Sequence, residues 1–197
     1  MTDPSADLPS QKQHLREKLR FRRRHFAANL DEFSRFAAFR AVPAPLAELL
    51  DAQTMIGAYA AWGDEPDILQ MLGDYGAERK LALPHHDGRV ETMGFRRWIP
   101  GDALVKGPWS TRQPADAAES ALPSLIFCPL VGFDRHGGRI GQGGGHYDRW
   151  FAAHPGALRI GIGWSVQEVD AMPLESSDMP LDAVLTEQEF IVTGDQL

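Results

Sequence analysis

The residues best equipped for chemistry lie in one run, Phe133-Asp-Arg-His-Gly-Gly-Arg139-Ile-Gly141-Gln-Gly143-Gly144-Gly145-His146-Tyr147-Asp148-Arg149. Seven of the chain's 19 glycines fall between Gly132 and Gly145. The apolar residues before the run predict a strand over 124–133, and a helix is expected after it, over 144–153. Successive glycines lack Cβ atoms, so their backbone N–H groups can close on an anion, and a helix N-terminus adds partial positive charge. Arg139 and Arg149 bracket the loop with guanidinium groups suited to phosphate oxygens. Asp148 falls in the first turn of the expected helix, where a carboxylate beside a phosphate can hold Mg²⁺. Simple turn chemistry for the glycines and a helix-dipole role for Asp148 remain the plainer alternatives. The run is not a Walker A loop, because no Gly-Lys-Ser/Thr follows. Nor is it the dinucleotide fingerprint, because His146 stands where the third glycine belongs.

A second concentration lies near the N-terminus. Lys12, Arg16, Lys18, Arg20, Arg22, Arg23 and Arg24 are opposed only by Glu17. Leu15, Leu19, Phe26 and Leu30 recur at close to helical spacing, which predicts an amphipathic helix over 11–29, with Ser10 and Gln13 as a capping box. Lys12 and Arg16 lie four apart, so one helical face presents both to a polyphosphate. Arg22, Arg23 and Arg24 are expected to be mostly solvated. A solvated charged face, or an RNA-contacting helix, would account for the same residues.

Elements that alternate between strand and helix must position these groups. Further helices are expected over 32–40, 46–51 and 66–76, and further strands over 54–62, 79–84, 92–99, 158–164 and 183–192. That alternation predicts a single α/β domain with a mainly parallel twisted sheet flanked by helices, a Rossmann-like layered architecture. Residues 1–9 read as a disordered tail and 10–197 as the domain. Residues 100–123 form a long irregular stretch, unusual in a compact domain unless it serves a site. The chain has 197 residues and a net charge of −7, which excludes a general nucleic-acid binder. Its one cysteine, Cys128, excludes an internal disulfide and is expected to be packed and inert. No run is long and apolar enough for a membrane span, and no secretory leader is apparent, so a cytoplasmic protein is expected, without membrane partners and monomeric. His85 and His86 do not read as a metal pair, because neighbours on a strand point to opposite faces.

The run ending at Arg149 closely resembles the signature of the 5-formyltetrahydrofolate cyclo-ligases, also called 5,10-methenyltetrahydrofolate synthetases. Four more segments resemble that family in order: Lys12-Gln-His-Leu-Arg16; Tyr59 with Glu65-Pro-Asp67; Phe95-Arg-Arg-Trp98 with Gly107-Pro-Trp109 and Gln113-Pro114; and Pro173-Leu-Glu with Asp178-Met-Pro-Leu-Asp182. The resemblance implies an ATP- and Mg²⁺-dependent cyclisation of 5-formyltetrahydrofolate, releasing ADP and phosphate. It implies ATP binding by Lys12, Arg16, Arg139, Gly141, Gly143, Gly144, Gly145 and Tyr147. Mg²⁺ falls to Asp148 and Asp178, and the folate to Ala60, Glu65, Trp109, Gln142 and His146, while Tyr147 and Arg149 are the catalytic candidates. The chain departs from the family pattern at Gln113, Gln142, His146 and Ser177, which leaves a homologue that binds ATP and folate without turnover as the alternative.

Overall fold

The computed structural model describes residues 7–87, 92–194 and 197. Its apolar runs assemble one eight-stranded sheet, reached through α1 (Leu8–Asn29), α2 (Glu32–Ala37), α3 (Ala44–Asp51), β1 (Ile56–Gly57), α4 (Gly73–Ala77), β2 (Leu81–His85) and β3 (Gly94–Arg97). The chain continues through β4 (Val105–Lys106), β5 (Arg112–Gln113), β6 (Ser120–Ala121), β7 (Leu125–Pro129), β8 (Gly132–Phe133), β9 (Arg139–Ile140) and α5 (His146–Ala153). It ends in β10 (Leu158–Ile162), β11 (Ala183–Leu185) and β12 (Phe190–Val192). The strand order is β12-β11-β10-β7-β1-β2-β3-β6. The five central strands, β11 to β2, are parallel, and antiparallel strands close both edges.

Alternation along β7 shows why the sheet is covered on both faces. Leu125 and Phe127 enter a core with Leu46 and Leu50 of α3, while Ile126 and Cys128 enter a second core with Trp150 and Phe151 of α5. A strand buried on both sides reads as a continuous apolar run, as 125–131 does. Cys128 is fully buried, and that burial pushes its thiol up to about 11. Ile160 of β10 lies opposite Phe127 and is fully buried. Ile160→Val should therefore lower the urea midpoint by an amount equivalent to about 0.5–1.5 kcal/mol, with an unchanged slope.

From β1 the chain moves to β2 on one side and later to β7 on the other. This reversal makes a switch point, and open α/β sheets bind ligands in the crevice outside the carboxyl ends of the strands there. Tyr59 and Ala60 follow β1, and Leu130 follows β7, so the fold places them at that crevice.

Several expected boundaries are corrected. The first helix begins at Leu8, with Asp7 at its N-cap and no side-chain capping bond, so Ser10 lies inside it and the expected capping box does not form. The expected tail over 1–9 thus loses its last two residues to the helix, and residues 1–6 lie outside those described. The strand expected over 54–62 shortens to Ile56–Gly57, because the chain leaves the sheet to line the crevice, and the helix over 66–76 condenses to Gly73–Ala77. The strand over 183–192 is a hairpin, turned where Thr186 Oγ1 accepts the Gln188 and Glu189 N–H groups. The strand over 124–133 likewise divides, and β8 leaves the main sheet to pair with β9. The irregular stretch 100–123 contains the β4–β5 hairpin, turned through left-handed backbone at Trp109 and Ser110, and edge strand β6.

Candidate active site

At the switch point lies a cavity of about 860 Å³, and every site residue singled out from the sequence borders it. One face of α1 builds its first wall. Lys12, Leu19, Arg23 and Ala27 are the helix's buried residues, spaced at whole turns. Lys12 Nζ lies 2.6 Å from Asp178 Oδ2 and 3.3 Å from a Glu175 carboxylate oxygen. One turn on, Arg16 Nε donates to the Gly141 carbonyl at 3.1 Å. One turn further, Arg20 Nε and Nη2 donate to Gln142 Oε1 at 3.0 and 2.7 Å. The helix therefore clamps the glycine-rich loop by its cations.

The loop needs glycine where its backbone turns left-handed. Gly145 caps α5 with φ 63°, and a Cβ there would stand 2.9 Å from Arg149 Nη1. Gly143 has φ 104° and faces the Arg16 guanidinium. The tight turn brings His146 Nδ1 within 3.2 Å of Arg149 Nη2 and sets Asp148 in the first turn of α5.

The two aspartates share one end of the cavity. Asp148 Oδ1 accepts from Arg139 Nη2 at 2.5 Å and from the Met179 N–H at 3.3 Å, while Arg139 also donates to the Met179 carbonyl. Asp178, adjacent in sequence to Met179, accepts the Glu175 N–H at 2.7 Å on the oxygen that faces Lys12. Each carboxylate thus stands beside a cation. No group of three or more His, Cys, Asp or Glu side chains able to hold a metal occurs among the described residues. A hard cation taking one or two carboxylates, with phosphate and water oxygens filling the rest of its shell, fits this donor set.

The opposite end is drier. The Glu65 side chain is 9% exposed, and its Oε2 accepts the Trp62 N–H at 3.1 Å. Burial raises its carboxyl above the ordinary range, while the Arg23 charge, the Trp62 N–H and the Gln142 side chain pull it back. The Tyr59 and Tyr147 phenols are held well above their usual range by burial, and Tyr59 donates to the Pro66 carbonyl at 2.7 Å. Three rings at the start of α5 and beside it also line the cavity. Trp109 and His146 have centroids 5.0 Å apart, and His86 lies 5.3 Å from Trp109 and 4.7 Å from His146. Trp109 is held in left-handed backbone, φ 56°. Burial, followed by the charges of His146 and its neighbours, lowers His86 to about 4, so it is neutral at pH 7.

His85 and His86 do point apart, His85 toward Asp87 and Asp116 and His86 into the cavity. His86 is a site residue that sequence reasoning missed. The signal was its place just past the carboxyl end of β2, beside the switch point. Gln113, a departure from the family pattern, accepts the His86 N–H at 3.2 Å and donates to the His86 carbonyl at 3.1 Å. An amide can do both, whereas an ionised carboxylate only accepts. Arg23 corrects a second expectation. It is 5% exposed rather than solvated, because it shares the face of Lys12 and Leu19, whereas Arg22 and Arg24 are exposed.

The model of the 5-formyltetrahydrofolate cyclo-ligase family matches residues 9–187, nearly the whole described chain. The chain belongs to that family. It is an enzyme, a ligase of folate metabolism. The 5-formyltetrahydrofolate cyclo-ligase of Haemophilus influenzae is 26% identical over 180 residues, covering 86% of this chain and 96% of that protein. The cyclo-ligase of Escherichia coli is 30% identical over 130 residues, covering 62% and 70% respectively. In fold, the NMR structure of Aquifex aeolicus 5,10-methenyltetrahydrofolate synthetase is similar with a TM-score of 0.74 at 24% identity, covering 94% of each chain.

Proposed function

We propose that this cyclo-ligase couples ATP cleavage to ring closure of 5-formyltetrahydrofolate within the single cavity at the switch point. The supporting observation is the cavity's polarity. Lys12, Arg16 and Arg139 gather with the glycine-rich loop at one end, and Glu65 stands nearly enclosed beside Arg23 at the other, with the rings of His86, Trp109 and His146 also in the lining. A polyphosphate suits the first end and a reduced pterin the second.

The formyl oxygen is a poor leaving group, so it first attacks the γ-phosphorus, and ADP departs. The folate N10 then attacks the activated formyl carbon, phosphate leaves with the original formyl oxygen, and N10 gives up its proton. The product is the 5,10-methenyl cation. Phosphoryl transfer of this kind depends mainly on positioning and charge neutralisation. Lys12 and Arg16 take the polyphosphate along one face of α1, and loop N–H groups from Gly141 to Gly145 complete the cradle. Arg139, held at the mouth of α5 by Asp148 and the Met179 carbonyl, faces the transferred group together with Arg149. Tyr147, whose phenol stays neutral, borders both ligands. Asp148 and Asp178 would hold Mg²⁺, which when bound neutralises charge on the phosphates. Glu65 accepts hydrogen bonds from pterin N–H groups, while Ala60, Trp109, Gln142 and His146 form the walls around the ring.

Mixing the enzyme with 5-formyltetrahydrofolate, Mg²⁺ and ATP should produce the methenyl absorbance, and a non-hydrolysable ATP analogue should abolish it. Binding of both ligands with no absorbance change would instead mark a homologue without turnover. Glu65→Ala should raise the folate KM by an amount equivalent to about 1.5–3 kcal/mol while leaving ATP affinity in direct titration nearly unchanged. Because burial raises the Glu65 carboxyl, its acceptor form is lost as pH falls through that raised value. The folate KM of the wild type should therefore climb on an acidic limb above the ordinary range near about 4.3. Equal weakening of both ligands by Glu65→Ala would make the residue structural.

A further inference from the structure

Arg23 is a buried guanidinium without an evident structural task. It is 5% exposed, and its Nε and Nη1 have no hydrogen-bond partner among the described residues. Its ion-pair partner among them is Glu65, with Nη1 3.8 Å from Oε1, and both side chains are nearly enclosed, at 6% and 9% exposure. Burying such a charge costs several kcal/mol, and a well-packed apolar side chain would stabilise the fold as well or better. What Arg23 does for the fold therefore does not explain it. What it does for Glu65 does.

We propose that Arg23 is a positioning residue of the folate subsite, holding the Glu65 carboxylate charged and fixed so that it can accept the pterin N–H donors. This rests on the folate role given above to Glu65. The other groups facing Glu65 do not supply that charge. Tyr59 follows β1, Tyr147 belongs to α5, and both phenols stay neutral; Gln142 of the loop is an uncharged amide, held by Arg20. Asp67 lies on the same side and is itself acidic. Arg23 is thus the favourable charge in that wall, and it opposes the desolvation that raises the carboxyl. Its place on α1 adds a geometric consequence. Lys12 and Arg23 share one buried face eleven residues apart, a span of about 16 Å along the axis. One rigid helix therefore sets both the polyphosphate end and the pterin end of the cavity.

The test compares wild type, Arg23→Met, Arg23→Gln, Arg23→Lys and Glu65→Gln, reading the folate KM and kcat across pH, the ATP KM, and the melting temperature. Arg23→Met and Arg23→Gln should each raise the folate KM at neutral pH by about ten- to a hundredfold, leaving the ATP KM within about twofold. In both, the acidic limb of the folate KM should move to higher pH, because the charge that opposes protonation has gone. Arg23→Lys should restore most of the affinity and return the limb toward its wild-type position. Glu65→Gln should weaken folate binding and show no such limb. A folate KM profile in Arg23→Gln that superimposes on wild type, with only the melting temperature lowered, would overturn the proposal while leaving Glu65 in place. An unchanged folate KM in Glu65→Gln would overturn the Glu65 reading itself, and Arg23 with it. Should Arg23→Met not fold, the Gln and Lys variants carry the same comparison, and loss of ATP affinity in parallel with folate affinity in both would also overturn it.

Discussion

Asp148→Asn is expected to keep the fold and lower turnover on the order of a hundred- to a thousandfold at saturating ATP and Mg²⁺. The amide preserves the shape that accepts the Met179 N–H, so α5 and its left-handed Gly145 cap should persist. What disappears is the negative charge at the mouth of the loop. That charge has two partners in the proposed reaction, the Mg²⁺ it would hold and the Arg139 guanidinium it steadies at 2.5 Å. Losing both effects at once removes charge stabilisation where charge is transferred, so kcat should fall much further than ATP affinity. Steady-state kinetics with a melting curve decide it. Near wild-type turnover would return Asp148 to a helix-dipole role.

The double variant Lys12→Ala with Arg16→Ala should nearly abolish ATP binding. Each change alone is expected to cost about 1.5–3 kcal/mol, roughly a ten- to 150-fold loss, if each side chain makes a charge-assisted bond to the polyphosphate. Lys12→Ala also leaves Asp178 and Glu175 without their cation. Arg22→Gln with Arg24→Gln is the matched control, since both residues are exposed and screened surface charges act weakly at physiological salt. Arg23 does not belong in that control, because it is buried against Glu65. Nucleotide titration at two salt concentrations reads the contrast. Loss spread evenly over both sets would reduce α1 to a diffuse field. RNA affinity with a steep salt slope, weakened equally by every substitution, would favour a nucleic-acid surface instead.

Much of this site was legible because its parts are local. Lys12 and Arg16 border one cavity through helical spacing, and the glycines, Arg139, Asp148 and Arg149 lie in a continuous run. The parallel sheet followed equally directly from alternating apolar segments. What escaped notice depended on contacts between distant segments. Three consecutive arginines look alike in sequence, yet only Arg23 falls on the face set by Lys12, Leu19 and Ala27. His86 enters the cavity because β2 ends beside the switch point, and Gln113 matters because a hairpin 27 residues away brings its amide onto the His86 backbone. β1 is shorter than its apolar run because Tyr59 and Ala60, just past it, turn out to line the crevice. The hairpin of β11 and β12 was hidden because Thr186 and Glu187 interrupt an otherwise continuous strand pattern with a turn that depends on side-chain hydrogen bonds.

The proposed transfer of ATP's γ-phosphoryl group to the formyl oxygen makes a direct demand on the products. Substrate labelled with heavy oxygen in the formyl group should be turned over in ordinary water with ATP and Mg²⁺, following the methenyl absorbance, and the released phosphate analysed by mass. One ADP should form for each methenyl product, and the label should appear in inorganic phosphate. Label released into water, or methenyl product formed without matching ADP, would contradict a phosphorylated formyl oxygen and with it the proposed coupling.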